Sequence, residues 1–417
     1  MEKRDGRISS SNEARHLKQG GMKYEEKIVS VLLTAAMATT MLAGCGGNSN
    51  TKSDANANSD AAEGSTTADA GSSDAGSSDG EEITLKVFSN LPDRKNGQGL
   101  VEQTIIQEYM NENPNVKIEV EALDEEAYKT KFKAYSMEGL PDIVSIWGQP
   151  AFLDEVLDAG VLAELNEDDY ADYGFVSGSL EGFKKDGKLY GLPRNTDVAG
   201  FYYNQKMFED NGWKVPTTSD ELLELAGTIQ NAGLFQNGYD SQDYATAQNL
   251  FINGQAAMYY MGSWDASMAL NEDIEQDIRM NIRVFTMPVV DGGKGTATDI
   301  AAWNGGGYGV SESSEHKDEA IKFLNYMYQP DKLSKYGWQN GVGMSAQDQT
   351  AYMTGDETEL QMQFVDAVNN ATSVSGTPIN DCGPSAFKTS IESEIQSVSN
   401  GSMSVDDFLA AIGSACQ

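Results

Sequence analysis

Three short segments, ITLKV at residues 83–87, VKIEVE at 116–121 and IVSIW at 143–147, decide the fold of this 417-residue chain. In the first two, apolar and polar residues alternate, as is typical of β-strands, and the third is mostly apolar. Helical spacing of apolar residues predicts helices over 99–113 and about 125–137, between these strands. The β-α-β-α-β order predicts a parallel sheet with right-handed crossovers, and therefore an α/β fold.

Two loops of the predicted sheet carry side chains suited to a ligand site. Ligands of such sheets bind beyond the carboxyl ends of the strands. The loop after the first strand carries Asn90, Asp93 and Arg94, and the third strand ends at Trp147, beside Gly-Gln-Pro. A tryptophan of the core is the alternative for Trp147, but the neighbouring glycine and proline favour the wall of a pocket.

The chain downstream continues with further predicted strands and helices. The polar cluster Arg194 to Asp197 precedes an apolar strand over 198–203, which indicates a crossover between lobes. A Thr/Ser cap followed by acidic residues predicts a helix start at Pro216–Glu221. Further expected elements are a strand over 256–261, a strand over 308–310 and a helix over about 316–328.

The N-terminal region predicts export and anchoring. The apolar run at 28–41 is too short to span a bilayer as a mature helix, and Leu42-Ala43-Gly44-Cys45 follows it. This tetrapeptide resembles the lipobox of bacterial lipoproteins, whose cysteine is lipid-modified and begins the mature chain; an ordinary secretory signal is the alternative. We predict the following segments: 1–21, an upstream extension that is either non-native, with translation starting at Met22 instead of Met1, or genuine; 22–44, a lipoprotein signal peptide; 45–82, a flexible acidic linker.

Composition narrows the classes of partner. The formal net charge of −35 repels phosphate backbones and anionic lipid, so we expect no nucleic-acid partner and membrane contact through the lipid anchor alone. Two histidines and the lack of HExxH, GxSxG and Walker motifs count against a zinc hydrolase, a serine esterase and an ATPase. We therefore expect no metal and no cofactor. If Cys45 carries the lipid, Cys382 and Cys416 are the cysteines that remain. The sequence leaves open whether these two form a disulfide.

Several motifs occur in an order that carries a family resemblance. They are the lipobox, the acidic linker, Leu140-Pro-Asp-Ile-Val-Ser-Ile-Trp147, Lys188-Leu-Tyr-Gly-Leu-Pro-Arg-Asn-Thr-Asp197, Tyr202-Tyr-Asn204, Val215-Pro-Thr-Thr218, Gly254-Gln-Ala-Ala-Met-Tyr-Tyr-Met-Gly-Ser-Trp264 and Trp303-Asn-Gly-Gly-Gly307. Each motif is weak alone, but their order over 83–417 resembles the extracellular solute-binding lipoproteins of carbohydrate ABC importers, family 1, which are distant relatives of maltose-binding protein.

The resemblance implies a two-lobed fold of the periplasmic-binding-protein type II, with a sugar held in the cleft between lobes. It places 83–193 plus 300–333 in the first lobe and 194–299 plus 334–417 in the second. The helix after Pro216 meets Asn231 and the following residues at once, whereas relatives have a substantial helical insert there. The sequence therefore predicts a deletion near 228–231, which leaves either a shortened second lobe or a defective gene.

Sugars present apolar C–H faces, on which aromatic rings stack, and hydroxyls, which carboxylates and amides bind. The expected ligand-binding residues are Asn90, Asp93, Arg94, Trp147, Asp197, Trp264, Trp303 and Asn304. The expected function is capture of a sugar or oligosaccharide outside the cell membrane, or in the periplasm, by a lipid-anchored monomer that is not an enzyme and delivers to ABC transporter permease subunits. The alternatives are a lipid-anchored glycan-degrading enzyme, with two carboxylates facing one bond, and a surface adhesin.

Overall fold

The computed structural model of the protein describes residues 82–231 and 242–415. The first elements in chain order are β1 Ile83–Ser89, α1 Gly97–Glu112, β2 Val116–Ala122, α2 Glu125–Glu138, β3 Ile143–Trp147 and α3 Pro150–Asp158. β1 pairs in parallel with β2 along its whole length, from Ile83 opposite Val116, and in parallel with β3. The predicted parallel β-α-β-α-β unit is therefore confirmed.

Two more strands complete this first sheet. The next elements are β4 Lys184–Lys185, β5 Lys188–Leu189, β6 Leu192–Pro193, β7 Thr196–Asn204, α4 Gln205–Asn211, α5 Ser219–Asn231, α6 Tyr244–Ile252, β8 Met258–Gly262, α7 Gln276–Arg279, β9 Ile282–Phe285, β10 Asp299–Asn304 and β11 Gly306–Val310. β11 is antiparallel to β3 and to β6, which gives the strand order β2-β1-β3-β11-β6. The strand predicted at 308–310 is thus an antiparallel member of the first sheet.

A second sheet is built around β7. The last elements are α8 Lys317–Met327, α9 Leu333–Gln339, α10 Glu359–Asn369, β12 Ser373–Val374, α11 Ser385–Ser399 and α12 Val405–Ala415. β7 is antiparallel to β8, β9 and β10, and β12 extends the sheet beyond β10. The predicted strands at 198–203 and 256–261 correspond to β7, at the centre of this sheet, and to β8, at one end of its strand order.

Each sheet lies in its own hydrophobic core. The first core contains the apolar faces of β1 and β3 with α1, α2 and α8, and its fully buried members include Tyr128, Phe323 and Tyr328. The second core surrounds Tyr202 on β7, and a separate small cluster forms under α4 and α5. The two sheets with separate cores are the two lobes that the sequence predicted.

Two crossings of the chain between the sheets are adjacent, and a third follows between β11 and β12. Arg194 and Asn195 lead from β6 to β7, and Gly305 leads from β10 back to β11. Since residues 301–304 pair with β7, β10 lies in the second sheet, although the sequence placed the return at residue 300. We therefore propose Gly305 as the boundary. For the C-terminal region, assigned to the second lobe, the structure shows α9 packing on α1 and α11 packing on α3.

The predictions for Cys45, the signal peptide and the linker concern residues that lie outside the described ranges, as does Cys416. Cys382 is exposed, and because Cys416 is not described, the disulfide between them stays an open possibility. No helix in 82–231 or 242–415 is long and apolar enough to cross a membrane.

Candidate functional site

The two crossings lie side by side and bring the carboxyl end of the first sheet to the start of the second. Gly306 accepts a hydrogen bond at its carbonyl from the Arg194 N–H at 2.7 Å, and Asn195 accepts one from the Gly305 N–H at 2.9 Å. Asp197 lies opposite Trp303 in the β7–β10 register. The sequence-predicted residues of the second lobe therefore gather at the point where the chain passes between lobes.

Trp264 and Trp303 form an aromatic pair. Their ring centroids are 6.3 Å apart, with planes at 66°, which is an edge-to-face arrangement. Trp303 is near the end of β10, and Trp264 follows β8 in the helical turn Ser263–Ala269. Both side chains keep part of their surface exposed. Two tryptophans that are distant in the sequence thus present apolar surface at one place.

Gly262 allows Trp264 to take this position. A Cβ atom at Gly262 would stand 2.0 Å from Trp264 Cζ3 and 2.4 Å from two further ring atoms. A real Cβ atom does not approach a ring so closely, so the indole lies directly on the glycine backbone. The glycine in the Gly-Ser-Trp motif is therefore a geometric requirement for the position of this tryptophan.

Asp197 is a buried carboxyl at the crossing. Asn195 donates a hydrogen bond to it from Nδ2. Burial raises the pKa of Asp197 to about 8, because a carboxylate loses its hydration there; Arg194 opposes this shift and Glu125 adds to it. At neutral pH this carboxyl is largely protonated, so its side chain can donate as well as accept a hydrogen bond.

Trp147 is held by aromatic neighbours of the first lobe. Its ring centroid is 5.6 Å from that of Tyr128 and 5.0 Å from that of Phe152, both edge-to-face. The ammonium of Lys129 lies 5.3 Å from the ring centroid, and Lys129 is itself paired with Glu125 at 2.5 Å. Trp147 remains partly exposed at the end of β3, opposite Gly306. It thus combines packing in the first lobe with an open face at the sheet edge.

Asn304 and Asn90 also lie near strand ends. Asn304 accepts a hydrogen bond at its carbonyl oxygen from Gln149 Nε2 at 2.8 Å, which ties the end of β10 to the loop after β3. The Asn90 N–H donates to Ser145 Oγ at 3.3 Å. Asn90 Oδ1 is buried and has no hydrogen-bond partner among the described residues. Asn304 thus keeps polar groups close to the crossing, and Asn90 keeps them just beyond the end of β1.

Asp93 and Arg94 are engaged in the start of α1. The Asp93 carboxylate accepts hydrogen bonds from the N–H groups of Lys95 and Asn96, at 2.9 and 3.2 Å. Arg94 pairs with Glu102 at 3.3 Å and donates to Gln103 at 3.0 Å. These two residues therefore stabilise the loop and the start of α1. Their residue types alone do not predict this local role.

Asp265, next to Trp264, is a site residue that the sequence reasoning missed. It is buried and accepts hydrogen bonds from Tyr259 at 2.6 Å, Tyr244 at 2.7 Å and Gln248 at 3.0 Å. Burial raises the pKa of Asp265, and these three hydrogen bonds oppose the shift. Because the carboxyl joins α6 and β8 to the turn that carries Trp264, it fixes the base of that tryptophan. A charged residue directly after the Gly-Ser-Trp motif was the available signal.

Neither of two further concave sites includes the predicted residues. A groove of about 400 Å³ lies between Glu164–Asp168 and Gly187–Leu189 of the first lobe, and a cavity of about 20 Å³ lies beside Arg194. Nowhere in the described parts of the chain do three His, Cys, Asp or Glu side chains come close enough to hold a metal ion.

Comparison with known proteins places the chain in a family. The sequence profile described as bacterial extracellular solute-binding protein matches residues 95–332, which is more than half of the chain. A multiple sugar-binding protein of Streptococcus mutans is 23% identical over 322 residues, 61% of this chain and 73% of the relative. An uncharacterized ABC transporter extracellular-binding protein of Pyrococcus horikoshii is 29% identical over 131 residues, 30% of each chain.

Solved structures share the two-lobed fold. A protein studied for xylan utilization by Caldanaerobius polysaccharolyticus superposes with a TM-score of 0.70 and 22% identity, over 79% of this chain and 99% of that one. A chitin oligosaccharide binding protein superposes with a TM-score of 0.68 and 20% identity, over 81% of this chain and 99% of that one. Maltose-bound MalE3 of T. maritima superposes with a TM-score of 0.64 and 16% identity, over 79% of this chain and 98% of that one. The predicted fold is thereby confirmed.

The family consists of binding proteins rather than enzymes, so the glycan-degrading alternative is not favoured. With its profile match, its two sheets and the crossings between them, the chain belongs to the family of bacterial extracellular solute-binding proteins.

Proposed function

We propose that the protein captures a sugar or oligosaccharide between its two lobes and delivers it to the permease of an ABC importer. The observation that carries this proposal is the Trp264–Trp303 pair beside the buried carboxyl Asp197, where the chain crosses between lobes. The names of the relatives support the ligand class, since one is a multiple sugar-binding protein and another a chitin oligosaccharide binding protein.

The chemistry of the proposed site matches a sugar. The exposed parts of Trp264 and Trp303 offer apolar surface for the C–H faces of a pyranose ring. Asp197, largely protonated at neutral pH, both donates to and accepts from hydroxyls. Asn304 and Asn90 add amide groups from the two lobes.

We assign a secondary role to the remaining predicted residues. Trp147 adds an aromatic wall on the first-lobe side, with Lys129 held over its ring. Asp93 and Arg94 act on the ligand through the shape of their loop, because their charged groups are already bonded at the start of α1.

A thermal-shift screen of residues 83–417 against a panel of sugars tests the ligand class. A ligand that binds the native state selectively raises the melting temperature. For the sugar identified, Trp264→Ala and Trp303→Ala should each weaken binding about tenfold, the loss of one stacking contact. Trp213→Phe, which alters a tryptophan packed on Phe208, is the matched control and should bind like the parent. Parent-like binding by both alanine variants would assign these rings to packing alone.

The anchor and the localisation form a second part of the proposal. We propose that Cys45 carries lipid and holds the protein, as a monomer, on the outer or periplasmic side of the cell membrane. Cys45→Ser should release the protein into the medium or periplasm, as measured by cell fractionation. A variant that still fractionates with membranes would remove the support for a lipobox.

The shortened second lobe bears on affinity. The proposed join at 228–231 falls in the last turn of α5, and 232–241 lie outside the described residues. We propose that the helical insert of relatives is missing here and that sugar affinity is weak or absent without it. Inserting the helical segment of a relative should raise affinity in the same screen. Tight binding by the chain as written would show that the short lobe is a finished structure.

A further inference from the structure

A small cavity lies where the interlobe crossings meet the first helix. Its volume is about 20 Å³, and its wall includes Gln98 and Val101 of α1, Arg194 and Asn195 of the crossing, and Ser345 and Gln349 of the segment after α9. That volume is enough for one water-sized or slightly larger particle and too small for a sulfate or a sugar. Since its walls come from three parts of the chain, whatever occupies it joins them.

Arg194 brings a buried positive charge to this cavity. Arg194 is only 7% exposed. Its side-chain atoms Nε and Nη1 have no hydrogen-bond partner among the described residues. The backbone N–H and C=O of Arg194 are hydrogen-bonded to Gly306 and Ala346. The side-chain N–H groups are therefore the donors that remain for a ligand in the cavity. The guanidinium shares one hydrogen bond with the Tyr308 side chain, but two buried nitrogen atoms without partners are costly, which makes this an unusual arrangement.

The nearby carboxylates do not contact Arg194. The guanidinium lies over the Tyr308 ring, 5.2 Å from its centroid. Glu102 is paired with Arg94 at 3.3 Å and accepts hydrogen bonds from Ser89 and Tyr308. In the described part of the chain, no carboxylate oxygen is within 4.0 Å of Arg194 nitrogen atoms. Its charge is therefore compensated only over longer distances.

The rest of the wall is neutral or favours negative charge. Among the described residues, no acidic side chain lines the cavity. Gln98 lies in the first turn of α1, a 16-residue helix whose N-terminal end carries partial positive charge. The Ser345 hydroxyl oxygen accepts a hydrogen bond from the Gln347 N–H, which leaves its own proton to donate.

We propose that this cavity binds a small monovalent anion of the halide class, chloride in the natural setting. The anion accepts hydrogen bonds from the Arg194 guanidinium and neutralises it, with Gln98 and Ser345 as further donors. Because Arg194 belongs to the crossing and Gln98 to the first lobe, the bound anion stabilises the junction between the lobes. A water molecule is the competing occupant, since it would also donate to Asn195 Oδ1, which has no partner in the described residues.

Crystals of the protein grown with sodium bromide test the site directly. Bromide should give an anomalous difference peak within hydrogen-bond distance of Arg194 Nε or Nη1. In solution, chloride or bromide should raise the melting temperature by about 2 °C over gluconate at equal ionic strength, because the anion binds the folded state alone.

Gln98→Glu is the decisive variant. A carboxylate at this position, which is favourable in the first turn of a helix, pairs with Arg194 and excludes the anion. The halide effect on the melting temperature should disappear, while Gln107→Glu on the exposed side of the same helix should keep it. A crystal without an anomalous peak at Arg194, or an equal halide effect in Gln98→Glu, would overturn the proposal and identify the occupant as water. Neither readout depends on sugar binding.

Discussion

The two lobes differ in how completely they bury their apolar residues. In the described residues of the first lobe, one continuous core extends over both sides of the sheet. The second lobe divides its apolar residues between a core around Tyr202 and a separate cluster of Phe208, Leu225 and Ile229. Nearby, Leu223 is 70% exposed and Tyr244 48%.

Leu223 and Tyr244 lie on either side of 232–241, in α5 and at the start of α6. This is the region in which the sequence predicts a missing helical insert. A lobe that has lost covering helices keeps its central sheet but loses the layer that buries the outer helices. From the difference between the lobes we propose that a sheet with its own core tolerates the predicted loss of peripheral helices, at the cost of local stability.

The largest expected effect contrasts equivalent truncations in the two lobes. Phe323→Ala, in α8 of the first core, should lower the free energy of unfolding by about 4 kcal/mol, because a fully buried ring leaves a cavity. Phe208→Ala, in the three-residue cluster, should cost about 2 kcal/mol, since a poorly covered site collapses more easily. Urea unfolding followed by circular dichroism measures both. Equal losses would contradict the proposed contrast.

The next effect concerns the polar centre of the second lobe. Asp265→Ala should lower the free energy of unfolding by about 2 kcal/mol, because the hydroxyls of Tyr244 and Tyr259 lose their acceptor. Asp265→Asn keeps an acceptor oxygen and should cost less. Trp264 fluorescence should change in Asp265→Ala, since the carboxyl fixes the turn that carries this ring. An unchanged emission spectrum would mean that the turn is held by other contacts.

A third prediction compares local opening. Amide hydrogens over 216–231 and 242–260 should exchange about tenfold faster than those over 83–147, because fewer buried contacts hold the helices of the second lobe. Hydrogen exchange followed by mass spectrometry gives both rates from one sample. Uniformly slow exchange would show that the second lobe is as well consolidated as the first.

The smallest effect is the change in stability per pH unit. Burial raises the pKa of Asp197 from 3.8 to about 8, so between about pH 4 and 8 the folded protein binds a proton that the unfolded chain has released. Stability contributed by this proton is present below the unfolded pKa and is lost as pH rises towards 8, by at most about 1.4 kcal/mol per pH unit. Asp197→Asn should flatten this slope in melting curves. A wild-type stability that increases from pH 5 to 8 would contradict the assignment.

Much of the fold could be predicted from the sequence because the patterns are local. Alternation in Ile83–Val87 and Val116–Glu121 and the helical spacing between them gave the parallel unit, with the strand Ile143–Trp147 at its observed limits. The sheet change next to the glycines after Asn304 could not be predicted. β10 belongs to the second sheet up to Asn304, and nothing in the sequence marks the change of sheet at a single glycine.

The candidate site was less predictable, because its residues are sorted by contacts between distant segments. Asp93 and Arg94 have the side chains of a sugar site, yet they bond within the start of α1. In the sequence, Asp265 is not distinguished from the many surface acids. In the structure, α6 and β8 place the hydroxyls of Tyr244 and Tyr259 on its carboxyl group.

The sequence by itself determined the α/β class, the parallel unit and the family resemblance, because alternation, helical spacing and motif order are properties of the linear chain. Only the tertiary structure decided which carboxyls are buried, how Gly262 lets Trp264 meet Trp303, and why Arg194 lies beside a cavity without a contacting carboxylate. Burial and pairing depend on which distant segments come together at the crossings, and a pattern along the chain does not contain those distances.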